Sequence, residues 1–101
     1  MIDLNEFKDV PEWEGLYLIN RKGEVYSKYI GGLLKPRRDR SGYVFVTFYA
    51  GKRQKTYRIH RLVVKTFLGD RYKGTHVRHK NGVLDDNRIE NLSYIVRYNG
   101  E

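Results

Sequence analysis

Residues 77–92, Val-Arg-His-Lys-Asn-Gly-Val-Leu-Asp-Asp-Asn-Arg-Ile-Glu-Asn-Leu, constrain the fold of this 101-residue chain more than any other stretch. Asn81-Gly82 is a strong turn dipeptide, because both residues tolerate positive φ, and Asp85-Asp86-Asn87 is a second cluster of loop formers. Residues 75–79 can run as a short strand before these turns, and the apolar residues 92–96 can return after them. The expectation is a strand, a looped-out segment and a second strand, with His79 ending the first and Asn91 opening the second. An imidazole titrates near neutrality and can accept a proton at pH 7, while an amide can fix its ring orientation. His79 and Asn91 are therefore the catalytic candidates; the alternative is a hairpin whose His and Asn side chains only satisfy turn backbone groups.

Charge is the second constraint. The chain carries a net +8, and its excess lies in the middle third, where ten basic residues between Lys35 and Lys65 oppose Asp39 alone. Tyr43, Phe45, Phe48, Tyr49 and Tyr57 are interleaved with those cations. A basic region threaded with aromatics is the footprint of a polyanion binder, most often of nucleic acid, the alternative being a solvated basic face with no partner. Residues 43–49 give the strongest β signal, Gly51-Lys52 turns the chain, and residues 54–59 return as a strand. In the returning strand Lys55, Tyr57 and Ile59 share one face, and Gln54, Thr56 and Arg58 the other. The expected DNA contacts are Lys35, Arg37, Arg38, Arg40, Lys52, Arg53, Lys55 and Arg58.

Upstream, residues 1–14 read as an irregular lead-in anchored by Trp13, residues 16–20 and 24–27 as a hairpin, and residues 35–42 as a basic loop after a Gly31-Gly32 break. Residues 60–68 read as a helix with Leu62, Val63, Thr66 and Phe67 on one face, stopped by Gly69, and His60 as a structural residue at its start. With no cysteine, disulfides, thiolate catalysis and a four-cysteine zinc site are excluded. There is no long apolar run and the start is acidic, so the expectation is a cytoplasmic protein with no membrane partner.

The pattern V-x-H-x-x-G-x-x-x-x-N-R-x-E-N-L, followed by an aromatic, resembles the core of the HNH (ββα-metal, His-Me finger) endonucleases of phage and intron homing systems. The earlier residues Trp13, Gly15, Tyr17, Asn20, Gly23, Val25, Ser27, Leu34, Lys35, Pro36, Gly42 and Tyr43 resemble the β module that commonly precedes such a core. The resemblance implies an α+β chain: an N-terminal antiparallel β module over residues 1–59, then an HNH-like core over residues 60–101 with a truncated final helix. It also implies DNA hydrolysis with a divalent metal, Mg²⁺ or Mn²⁺, in which His79 is the general base and Asn91 orients it. Asn99 falls where the terminal metal ligand is expected, beside Asp85 or Asp86 as further oxygen donors. Two departures stand out. Arg78 precedes the histidine where many relatives carry a metal-binding acid or amide, and the chain offers two residues after Asn99. The second expectation is therefore an HNH-derived module that binds DNA, or docks on a host or phage protein, without cleaving.

Overall fold

The computed structural model describes residues 2–69 and 76–95. Among these, three antiparallel sheets surround one α-helix, which is the α+β architecture expected. The first sheet runs in chain order through β1 (Phe7–Asp9), β2 (Tyr17–Asn20), β3 (Val25–Ser27) and β4 (Gly32–Leu33). The second comprises β5 (Arg37–Arg38), β6 (Val44–Ala50) and β7 (Arg53–Arg58), and the third pairs β8 (His76–His79) with β9 (Leu92–Ile95). Helix α1 (Ile59–Leu68) follows β7 with no intervening residue and ends at Gly69, whose φ of 81° suits glycine.

Two expectations need correction. The lead-in is not irregular: a 3-10 turn at Leu4–Glu6 leads into β1, whose Lys8 pairs with Ile19 of β2. Nor is the basic segment wholly a loop, since Arg37 and Arg38 pair with Phe45 and Val44 at the edge of β6. Strands of two or three residues are too short to show side-chain alternation. They form because β2, β3 and β6 present backbone donors and acceptors that must be paired. The helix begins one residue earlier than expected, and the hairpin is seen over residues 76–79 and 92–95, with Thr75 and Val96 outside the described residues.

One core serves all of these elements. Trp13, Tyr17, Ile19 and Val25 meet Val44, Val46 and Phe48 of β6 and Ile59, Leu62, Val63 and Val64 of α1, with Leu92 of β9 in the same cluster. Trp13 has the anchoring position expected of it. Its indole nitrogen donates to Tyr57 Oη at 2.9 Å, its ring meets Phe48 and Tyr17 edge-on, and the Arg53 guanidinium lies 3.9 Å from its centroid. Burying such a side chain contributes several kcal/mol, and truncating it typically removes about 3–5 kcal/mol. No helix among the described residues is long and apolar enough to cross a membrane.

Candidate active site

His79 is the last residue of β8 and pairs with the buried Leu92 of β9, so its backbone is fixed by the ladder and its side chain by what surrounds it. The ring is buried, and its Nε2 lies 2.7 Å from Asn87 Oδ1. An amide oxygen only accepts, so Nε2 carries the hydrogen and the imidazole lone pair sits at Nδ1. That is the protonation pattern a general base requires.

The ring's amide partner is Asn87, and the expectation that Asn91 orients His79 is corrected here. Every polar atom of the buried Asn91 side chain is engaged elsewhere. Its Nδ2 donates to Asn81 Oδ1 at 3.0 Å and to the Asp86 carbonyl at 2.8 Å, and its Oδ1 accepts from Asn81 N at 3.2 Å. Asn91 therefore ties the two ends of the loop together. Asn81 extends the tie through Nδ2 to Asp86 Oδ2 at 2.8 Å, and Lys80 N donates to the Asn91 carbonyl at 2.7 Å. Arg88 grips both oxygens of Asp86 at 2.7 and 2.9 Å and holds its carboxyl well below the usual carboxylate range, with the Asn81 amide adding to the effect. Spacing alone does not separate the two asparagines, since each lies within the reach of a loop. Only the closed geometry shows which one meets the ring.

Two aromatic rings wall the histidine. Tyr43 lies 6.0 Å from His79 and is stacked on His60 at 5.0 Å, and the His60 ring is 5.1 Å from that of His79. Arg58 covers Tyr43 at 4.3 Å and is itself held by Asp39 at 2.9 Å. His60 is buried, and burial first, then the positive charge of His79, Arg61 and Arg58, pushes its pKa down to about 4, against a smaller opposing pull from Asp39. It is therefore neutral at pH 7, in keeping with the structural role expected of it. Tyr43 was visible in the sequence only as one aromatic among five; its place beside His79 follows from β6 running past the hairpin.

The N-terminal motif residues hold the loop from behind. Asn20 accepts from the backbone of Lys22 and Glu24 at 3.1 and 2.9 Å and so builds the β2–β3 turn. In that turn Gly23 has φ 87°, and a Cβ there would lie 3.0 Å from Asn87 Cβ. Arg21 O receives the Ile89 N–H at 2.8 Å. Gly42, at φ 93°, leaves room for Leu84, while Arg38 joins the Gly42 carbonyl to Asp85, both at 3.0 Å. The motif glycines are thus places where the module's backbone touches the loop that carries Asn87.

Comparison with known proteins agrees with this geometry. The HNH endonuclease family profile matches residues 57–97, and the NUMOD4 motif matches residues 5–49. DNA endonuclease I-HmuI of Bacillus phage SP01 is 36% identical over 92 residues, 91% of this chain and 53% of that protein. A solved structure of DNA binding and cleavage by the HNH homing endonuclease I-HmuI has a TM-score of 0.80 at 37% identity, covering 89% of this chain and 52% of that one. The chain belongs to the HNH endonuclease family. H-N-H endonuclease F-TflII of Escherichia phage T5 is a further relative, 41% identical over 64 residues, 63% of this chain and 33% of that protein. The chain spans about half the length of I-HmuI and a third of F-TflII.

The HNH loop as described does not by itself make a metal site. Among the described residues no three His, Cys, Asp or Glu side chains come together to hold an ion. Arg78 is exposed and a cation without an acceptor, and Asn99 lies outside the described residues. Asp86 is committed to Arg88 and Asn81, and Asp85 to Arg38.

The eight expected DNA-contacting cations do not form one free row. Arg38 pairs with Asp85, Arg58 with Asp39 and Arg53 with Glu12, and Lys55 lies over the Tyr57 ring at 5.4 Å. Register explains the division. Lys55 stands opposite the buried Phe48, and Arg53 opposite Ala50, so both leave β7 on its core-facing side and lie against rings there. Lys35, Arg37, Arg40 and Lys52 are exposed and form no ion pair among the described residues. These four are the cations best placed for phosphate.

Proposed function

We propose that this chain is the DNA-binding and cleaving portion of a phage-type homing endonuclease, with His79 as the general base. The carrying observation is the His79 Nε2–Asn87 Oδ1 bond of 2.7 Å, which leaves Nδ1 as the free base of a ring walled by Tyr43 and His60. In this reading Nδ1 takes a proton from water as the water oxygen bonds to phosphorus. The bond from phosphorus to the leaving sugar oxygen breaks on the opposite side, and that oxygen takes its proton from solvent. Asn87 positions the ring and accompanies it through protonation, since its oxygen accepts equally well from an imidazolium. Asn91, tying Asn81 to Asp86, keeps Asn87 in place.

Lys35, Arg37, Arg40 and Lys52 would neutralise phosphates along the strand, and Arg58 stands over Tyr43 beside the reacting ring. The proposed cofactor is Mg²⁺ or Mn²⁺, with Asn99 as the donor carried over from the resemblance; it would supply Lewis-acid stabilisation of charge on the phosphate. I-HmuI is named for DNA cleavage, which supports the reading. Plasmid nicking by wild type and His79→Ala, with EDTA, Mg²⁺ or Mn²⁺, tests it. Metal-stimulated nicking that falls by about 10²-fold or more in the variant, at unchanged DNA affinity, is expected. Tight DNA binding without nicking under any of these conditions would leave the binding-module reading in its place.

A further inference from the structure

Away from His79, the structure presents a hollow of about 420 Å³ whose walls are Tyr29, Ile30, Leu34 and Tyr49, closed by Tyr17 and Thr47. Tyr29 is 60% exposed, Ile30 65% and Tyr49 54%, so these large side chains surround the hollow without filling it. The Tyr29 ring is not adrift. It leans on Tyr17 at 6.1 Å, and Tyr17 is stacked on the buried Phe48 at 4.0 Å.

The polar groups at the hollow already have partners. Tyr17 Oη accepts from Tyr49 N at 3.0 Å and donates to Tyr49 O at 3.2 Å, and Thr47 Oγ1 is bonded to Thr56 Oγ1 at 2.9 Å. What remains on offer is ring face and aliphatic carbon, without directional hydrogen bonding. Around it, Lys28, Lys35 and Lys52 are the chain neighbours of the lining residues Tyr29, Leu34 and Gly51. All three are exposed, none forms an ion pair among the described residues, and no acidic residue lines the hollow.

An apolar slot ringed by ammonium groups suits a planar apolar body attached to an anionic chain. Paired DNA buries its base faces in the stack, whereas a single strand exposes them. We propose that the Tyr29–Ile30–Tyr49 hollow binds an unpaired base of single-stranded DNA by stacking, with the lysines on the flanking phosphates. Because nothing in the hollow reads hydrogen-bonding edges, the binding is indifferent to base identity. The inference rests on the DNA reading above and adds to it a site for strand that has left the duplex. Tyr43, beside His79, and Tyr49 are six residues apart across β6, about 20 Å in an extended strand. At about 3.4 Å per nucleotide step, that is about six nucleotides. A nick at His79 frees a strand end within this reach.

The test measures binding of labelled oligothymidylate, oligodeoxyadenylate and a duplex of equal length to wild type, Tyr29→Ala, Tyr49→Ala and Ile30→Ser, with a thermal melt of each protein. The three side chains are exposed, so the variants are expected to melt with the wild type. The expected result is similar wild-type affinity for both single strands, a loss of about five- to a hundredfold in each tyrosine variant, and an unchanged affinity for duplex. An oligonucleotide carrying 2-aminopurine is expected to be quenched by wild type and not by Tyr29→Ala. Single-strand affinity equal to wild type in folded variants overturns the proposal while leaving the DNA reading intact. Equal losses on single strand and duplex also overturn it, by making the hollow part of a duplex surface. Self-association that disappears in Ile30→Ser, with DNA binding unaltered, assigns the hollow to a second copy of the chain instead. Failure of wild type to bind either form of DNA removes both readings together.

Discussion

The neutral His60 beside His79 makes acid stability a quantitative test of the core. Its pKa is lowered from 6.5 to about 4, first by burial and then by the charges of His79, Arg61 and Arg58, with Asp39 pulling the other way. The sign follows from proton counting. Between these two values the unfolded chain binds a proton at His60 and the folded chain does not, so folding stability rises with pH and is lost on acidification. Above about pH 7 neither state is protonated and the contribution is constant. From pH 7.5 to 4.5 the linked loss integrates to about 2.5 kcal/mol, at about 1.36 kcal/mol per pKa unit. His60→Phe keeps a ring against Tyr43 and removes the titration together with the buried Nδ1, which has no hydrogen-bond partner in the described structure. Urea unfolding of both proteins at the two pH values is the assay. Wild type is expected to lose about 2.5 kcal/mol more than the variant across that interval. The carboxyls of Glu12, Asp39 and Asp86, all lowered, are common to both proteins and cancel in the comparison. Equal losses in the two proteins would refute the reasoning, and a larger loss in the variant would reverse its sign.

Asn87→Ala should slow plasmid nicking while leaving DNA affinity within about twofold, and Asn87→Asp, which keeps an acceptor oxygen, should recover part of the rate; equal damage from both would mean that the oxygen does not position the ring. Asn91→Ala releases Asn81 and Asp86 together and should cost about 1–3 kcal/mol of stability in urea titrations, with the rate falling as the loop loosens. Arg37→Ala with Arg40→Ala should reduce the slope of log K against log salt by about 0.9 for each phosphate no longer neutralised, whereas Arg53→Ala, a cation held by Glu12 and Trp13, should leave it nearly unchanged.

The hairpin around His79 is legible in the sequence because its turn residues are strong and its apolar return is continuous, and both act locally. Residues 43–49 are legible for the same reason: alternation along β6 puts Val44, Val46 and Phe48 into the core. β1, β4 and β5 are not, since their residues pair because a neighbouring edge is open, and an open edge is a property of the assembled sheet. The candidate site divides along the same line. His79 announces itself by chemistry and spacing. Its contact with Asn87 rather than Asn91 depends on how the loop folds across the β2–β3 turn, and the walls of Tyr43 and His60 depend on β6 and α1 meeting behind it. Charge shows a further limit. The run of cations between Lys35 and Lys65 is plain from composition, yet which of them remain open to phosphate depends on the positions of Glu12, Asp39 and Asp85 in the fold.

The contacts between the N-terminal motif and the HNH loop bear on whether the two parts of the chain can act alone. Gly23 against Asn87, Arg21 against Ile89, Gly42 against Leu84 and Arg38 against Asp85 are four separate attachments of residues before 59 to the loop that follows His79. The core is shared in the same way: Ile59, Leu62, Val63 and Leu92 pack in one cluster with Trp13, Ile19 and Phe48. Removing residues 1–58 would expose that face of α1 and leave Asn87 without the backbone it rests on. A β hairpin with a single short helix buries too little apolar surface to hold a loop of this kind in one geometry. A small nuclease loop that must keep a ring nitrogen and an amide oxygen at 2.7 Å therefore borrows its rigidity from the module in front of it. On that argument Gly23→Ala, in a turn far from His79 in sequence, should lower both the melting temperature and the nicking rate, because the added methyl pushes directly on Asn87. A drop in melting temperature with full activity would show that the loop holds its geometry without the turn.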